Sequence, residues 1–263
     1  MTRESYSPSV YGVIQESAAE SAEEVTKLLW KLFRPSSVVD VGCGTGAWLS
    51  CFRNNGVQTV LGIDYYNFDE VPSLLAPEDY RKVDLTQPLQ IGQRFDLALC
   101  LEVAEHLPPS ASATLVENLT KLSDVIVFSA AIPGQMGFGH VNERWPSYWC
   151  RLFDQADFRT IDRLRYAIWN NPRVEFWYSQ NLLVFVNRKA KTIPSGIDDL
   201  LNLPVPDGLA LVHPRIYSDR SRSQINGFAR RAAEGMERFP RLWALLSRRR
   251  RKRTQDSWPD GRG

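Results

Sequence analysis

The chain contains no run approaching the roughly 18 apolar residues of a membrane-spanning helix. Its opening residues, MTRESYSPSVYG, lack the basic-then-apolar order of a secretory signal. Both absences lead to the expectation of a cytoplasmic protein. The four cysteines (Cys43, Cys51, Cys100, Cys150) form no C-x-x-C pair, which argues against a four-thiolate metal site. A chain of 263 residues does not need disulfide staples, so reduced, partly buried thiols are expected. There is no internal repeat. Histidine is scarce, three residues in all, so few side chains can take up a proton near neutrality.

Positive charge is also outnumbered over most of the chain. Residues 215–263 hold 14 Lys/Arg against 5 Asp/Glu, which leaves 18 against 25 for everything before them. A body with a net acidic balance and no basic stripe argues against a large nucleic-acid footprint.

What is present is a regular alternation. Residues 16–34 carry Val25, Leu28, Leu29, Leu32 and Phe33 at helical spacing until Pro35 stops them. Short apolar runs follow: Val38 to Val41, QTVLGID (58–64), YRKVDL (80–85), FDLALCL (95–101) and DVIVFSA (124–130). Helical stretches separate them, notably Ala111 to Leu122. Such alternation gives a parallel sheet covered on both faces, a doubly wound, Rossmann-like α/β fold. Residues 147–156 read as a further helix, and RTIDRLRYAIW (159–169) and NLLVFVN (181–187) as two final strands joined by the aromatic NNPRVEFWYSQ (170–180). The expected organisation is one domain over 1–190, a proline-containing linker with an amphipathic basic helix over 191–254, and a disordered tail over 255–263.

Three glycines, Gly42, Gly44 and Gly46, sit where the first strand passes into a helix, in VVDVGCGTGAW (38–48). Glycine there permits positive φ and lets a ligand lie against bare backbone. Asp64 ends the second strand 22 residues after Gly42, where a carboxylate can accept ribose hydroxyls. Asp84 ends the third and is placed to meet an adenine amino group. Each has a plainer reading, a tight turn for the glycines and caps for the acids, and Asp40 can be a buried acid that holds the turn. Together they favour an adenosine-containing ligand.

VVDVGCGTGAW, GIDYY, VDLT and FDLALCLEVAEHLP resemble the successive motifs of class I S-adenosylmethionine-dependent methyltransferases, over roughly residues 22–130. The resemblance implies a seven-stranded sheet with its last strand antiparallel. It implies that Gly42, Gly44 and Gly46 face the methionine part of the donor, Asp64 the ribose, Asp84 the adenine, and Leu101, Glu102 and Val103 the region near the sulfonium; Asp40 and Tyr65 are further candidates for donor contact. The product would be S-adenosylhomocysteine.

An activated methyl group asks a protein to align a nucleophile, exclude water and remove a proton. His140, in the Gly- and aromatic-rich loop AAIPGQMGFGHVNERWPSYW (130–149), is the expected base, with Glu143 to orient it. A helix starting near Glu102 would put Glu102, Glu105 and His106 on one face, where with His140 they could bind a divalent cation. Similar arrangements carry metal in small-RNA and ubiquinone-pathway methyltransferases; elsewhere the same residues only pack. Trp145, Tyr148, Trp149 and Trp177 are candidates for the wall of an acceptor pocket.

The expected acceptor is an oxygen of a small molecule or saccharide, such as a natural product or a lipid-linked glycan. RRRRKR (248–253), one residue after FPRLWALL (239–246), admits a solvated tail, contact with an anionic membrane at its inner face, or nucleic acid. A nicotinamide-dependent oxidoreductase would share the strand, the glycines and Asp64, but would show G-x-G-x-x-G where Ala47 and Trp48 stand here. A catalytically idle cofactor-binding scaffold is the remaining alternative.

Overall fold

The computed structural model describes residues 8–65, 73–191 and 210–217, with side chains from residue 18 onward. The chain divides into Met1–His213 and Pro214–Gly263, and of the second unit only 214–217 are described. The expected basic helix and tail therefore lie outside the described residues. No helix among the described residues is long and apolar enough to cross a membrane.

The long helix α1 (Pro8–Phe33) precedes β1 (Ser37–Val41), α2 (Ala47–Asn54), β2 (Thr59–Asp64), β3 (Tyr80–Lys82) and β4 (Leu97–Leu101). Then come α3 (Ser112–Leu122), β5 (Val125–Ser129), α4 (Pro146–Gln155), β6 (Phe158–Ile161), α5 (Leu164–Ile168), α6 (Phe176–Asn181) and β7 (Leu183–Asn187). The seven strands form one sheet in the order β3-β2-β1-β4-β5-β7-β6. All pairings through β5 are parallel, and β7 runs antiparallel to both its neighbours.

The strands are apolar on both faces because each face carries its own core. Val38, Leu97, Leu99, Val125 and Val127 pack with α1 and α2, through Ala22, Val25, Leu29, Trp48 and Phe52. Their neighbours Val39, Ala98, Cys100, Ile126 and Phe128 pack with α3 and α4, through Leu115, Leu119, Trp149 and Phe153. This two-residue alternation between two buried faces is what a doubly wound sheet demands. All four cysteines are free thiols.

Three expected elements differ. The stretch 159–169 is not one strand: β6 ends at Ile161 and α5 begins at Leu164. Asp162 and Arg165 form a fully buried ion pair at that corner, with Arg165 Nε donating to Asp162 Oδ1 at 2.7 Å. Arg165 Nη1 also donates to the Gln180 carbonyl at 2.7 Å, which ties the corner to α6. The aromatic connection before β7 contains that helix. Finally β3 stops at Lys82, so Asp84 lies two residues beyond its strand.

Removing one partner of a buried pair strands a charge, which costs about 3–5 kcal/mol. Arg165→Leu is therefore expected to lower the urea midpoint by that equivalent at an unchanged m-value. Asp162→Leu combined with Arg165→Met should recover most of the loss, and a single-variant loss below about 1 kcal/mol would contradict the burial of the pair.

Candidate active site

The strand order reverses between β1 and β4, which opens a crevice outside their carboxyl ends. The chain leaves β1 through Gly42, Gly44 and Gly46 at φ 84°, 53° and 86°. An added Cβ on Gly42 would fall 2.3 Å from a Val103 methyl, and one on Gly46 would fall 2.4 Å from Leu75 Cγ. At Gly44 it would meet nothing within 4 Å, so the middle of the turn offers bare backbone to open space. The cradle is closed behind by Asp64, whose Oδ2 accepts the Gly44 N–H at 2.8 Å and whose Oδ1 accepts the Tyr65 N–H at 2.6 Å. Tyr65 is exposed beside it. Asp84 is exposed and caps a local turn, its Oδ1 accepting the N–H and hydroxyl of Thr86 at 3.0 and 2.7 Å.

Asp40 is buried beneath the turn, and desolvation, followed by the charge of Asp64, pushes its carboxyl up to about 7. Leu101, the last residue of β4, is buried.

No helix begins at Glu102, contrary to the expectation that it shares a helical face with Glu105 and His106. Its φ is 54°, a left-handed conformation that costs a residue with a Cβ about 1–2 kcal/mol. A single 3-10 turn, Ala104–His106, follows. The Glu102 carboxylate points to two amides, accepting from Asn181 Nδ2 at 3.1 Å and Gln135 Nε2 at 2.9 Å.

Glu105, His106 and His140 do converge, each offering a ligand atom within 4.8 Å of the others'. Glu105 is fully buried, and neither of its carboxylate oxygens has a hydrogen-bond donor among the described residues. Burial, then the charge of Glu102, holds its carboxyl well above the usual carboxylate range. His106 reaches solvent at its edge, yet desolvation of its ring, helped by the neighbouring His140, lowers it to about 4, which leaves a lone pair to give. The two imidazoles meet edge to face with centroids 4.9 Å apart.

His140 reaches the group because its loop is stitched down. The N–H groups of Val141 and Asn142 both donate to the Glu105 carbonyl, at 2.8 and 3.0 Å. Buried Asn142 donates to Ser112 Oγ at 3.1 Å and the Ala104 carbonyl at 3.3 Å. Glu143 accepts the Gly134 N–H at 2.6 Å and the Met136 N–H at 2.7 Å, and pairs with His140 Nδ1 at 2.9 Å. That leaves Nε2 as the second ring nitrogen, and a Cβ at Gly137 would fall 2.3 Å from it.

Gln135 and Asn142 were not among the sequence candidates. Of the aromatic ones, Trp145 is exposed and Tyr148 half-buried beneath the Arg144 guanidinium, 5.1 Å from its ring centroid. Trp149 does not wall a pocket: it is buried in the core against Phe128, with ring centroids 5.1 Å apart. Trp177 packs against the core on the α1 side, beside Phe176 and Tyr178.

Residues 14–162 match the family model described as a methyltransferase domain. No curated protein sequence matches the chain. Among solved structures, the sugar N-methyltransferase KedS8 from Streptoalloteichus sp. has a TM-score of 0.51 at 15% identity, over 72% of this chain and 97% of that one. A protein from Nostoc punctiforme, provisionally assigned as an O-methyltransferase, gives 0.52 at 13% identity, over 68% of this chain and 59% of that one. Magnesium protoporphyrin IX methyltransferase from Synechocystis, crystallised with S-adenosylhomocysteine bound, gives 0.44 at 18% identity, over 65% and 83%. At such identities the likeness to the first two is one of fold alone.

The raised carboxyl of Asp40 has a consequence for stability. The folded state holds a proton there that the unfolded state releases above about 3.8, so stability falls as pH rises through the interval from 3.8 to about 7. By pH 8 the accumulated penalty is on the order of 4 kcal/mol. Asp40→Asn is expected to gain on the wild type between pH 4 and pH 8 in urea unfolding, and a constant difference across that range would contradict this assignment.

Proposed function

Because this chain belongs to the methyltransferase domain family and uses S-adenosylmethionine as its methyl donor, we propose that it methylates an oxygen of a small molecule or saccharide, with a divalent cation held by Glu105, His106 and His140. The observation that supports the cation is Glu105: a fully buried carboxyl group, beside a second acid, whose oxygens have no hydrogen-bond partner among the described residues is favoured in its charged form only when something positive faces it. One carboxylate with two imidazole nitrogens suits manganese, iron, cobalt, nickel or zinc better than calcium.

The chain's residues fit the donor as well as the cation. Gly44 presents bare backbone, Asp64 ends β2 beside it with a carboxylate that ribose hydroxyls would suit, and buried acids suit a cationic sulfonium. When bound, the donor supplies a methyl carbon already activated by its positive sulfur. The acceptor oxygen then forms a bond to that carbon while the carbon–sulfur pair returns to sulfur. What remains for the protein is to hold the acceptor hydroxyl in line, exclude water and accept its proton. A cation at Glu105 would lower the hydroxyl pKa and fix its position.

A cation-free reading has one observation in its favour. His140 Nδ1 pairs with Glu143, a carboxylate that would stabilise a protonated ring, so His140 could serve as the base alone. Trp145 and Tyr148 flank the loop that carries it and are the aromatic candidates for acceptor contact. The polybasic run 248–253 would suit an anionic membrane surface, consistent with a lipid-linked acceptor.

Calorimetry with S-adenosylhomocysteine should give micromolar binding that Gly42→Ala weakens at least tenfold, since the new methyl meets Val103 and the φ of 84° disfavours it. Titration of metal-free protein with Mn²⁺, followed by EPR, should give one site per chain, weakened at least tenfold by Glu105→Gln. Binding of S-adenosylhomocysteine without any Mn²⁺ site would leave proton removal to His140, and turnover in an acceptor screen would then survive EDTA.

A further inference from the structure

Glu102 sits between the two halves of the site and is held from three sides. Its N–H donates to the Ser129 carbonyl at 3.0 Å and to Ser129 Oγ at 3.2 Å, and its carboxylate receives Asn181 and Gln135. The left-handed turn so fixed sets the course of the next four residues. Val103 is aimed at the glycine turn, where it fills the space a Cβ on Gly42 would need. Glu105 and His106 are aimed at His140. One short stretch thus touches the donor turn with one side chain and the cation group with two.

We infer that Glu102 is a positioning residue, not a cation ligand, and that it couples the donor turn to the Glu105–His106–His140 group; the inference rests on the cation reading above. The anchoring amides argue for the first half. Asn181 Nδ2 uses both hydrogens, on Glu102 Oε1 and on Gln135 Oε1 at 2.9 Å. Gln180 Nε2 donates to Gln135 Oε1 at 2.9 Å and Gln180 Oε1 takes the His213 N–H at 2.9 Å, which extends the set to residue 213. Both Glu102 oxygens are thereby turned to amides, and Glu102 is not among the residues whose ligand atoms converge within 4.8 Å of one another. For the second half, Gln135 lies on the same loop as His140. Settling the cation group therefore settles the bonds that hold Glu102, and through Val103 the floor of the donor turn.

The test uses the full chain with two probes, S-adenosylhomocysteine by calorimetry and Mn²⁺ by EPR, each measured with and without the other at saturation. Each ligand should strengthen the other by the same factor, about fivefold or more. Gln135→Ala, a change on a half-exposed loop residue, should leave each separate affinity within about threefold while the mutual factor falls to near one. Asn181→Ala should do the same if it folds, and Gln135→Ala stands without it. Glu102→Gln should keep Mn²⁺ affinity within about threefold, where Glu105→Gln loses at least tenfold. Equal losses in those two variants would make Glu102 a ligand and overturn the inference. So would independent binding in the wild type, or a mutual factor that survives Gln135→Ala. Absence of any Mn²⁺ site overturns the cation reading and this inference together, whereas Mn²⁺ binding without coupling overturns the inference alone.

Discussion

Two hydrogen bonds to one carbonyl hold this site together. The Glu105 oxygen receives the N–H groups of Val141 and Asn142, and so the loop after β4 is bound to the loop after β5. Without that junction His140 would ride on a long glycine-rich connection tied directly to the loop after β4 only through the side chains of Asn142 and Gln135. With it, an imidazole and a carboxylate from residues 35 apart in sequence are held as neighbours. Asn142 and Glu143 reinforce the junction from either side, one pinned to Ser112 and Ala104, the other gathering the N–H groups of Gly134 and Met136.

The acids are gathered where a cationic donor would arrive. Asp40, Asp64, Glu102 and Glu105 all lie near the carboxyl ends of the central strands, and three of them are deeply buried. Such a concentration is costly in the empty protein, as the raised carboxyls of Asp40, Glu102 and Glu105 record. The cost falls when positive charge enters, which favours a sulfonium over the uncharged product left after transfer.

The sheet, the glycine turn and Asp64 were legible in the sequence because they depend on neighbours along the chain: alternation, strand length, and glycine where φ must be positive. Glu105 and His106 were also legible, though for an imperfect reason. They meet His140 through a 3-10 turn, after Glu102 turns the backbone out of the helix its spacing suggested. What could not be read were pairings between distant amides. Gln135 meets Glu102 across 33 residues and Asn181 across 46, and polar side chains leave no periodic trace of their partners. Trp149 is different, since Pro146, Trp149 and Phe153 are spaced as one face of a helix and are all buried. That spacing identified a core position, but the aromatic composition of the loop obscured it.

Gly137 leaves one further mark on the protein. Its backbone is ordinary, so alanine would be accepted by the chain, yet the new methyl would fall 2.3 Å from His140 Nε2, on a ring that Glu143 already restrains. The smallest substitution in the genetic repertoire would displace the imidazole while leaving every charge, donor and acceptor of the site in place. On the proposed reading of His140, natural variation at this position would alter the site through a change that compositional comparison would score as neutral.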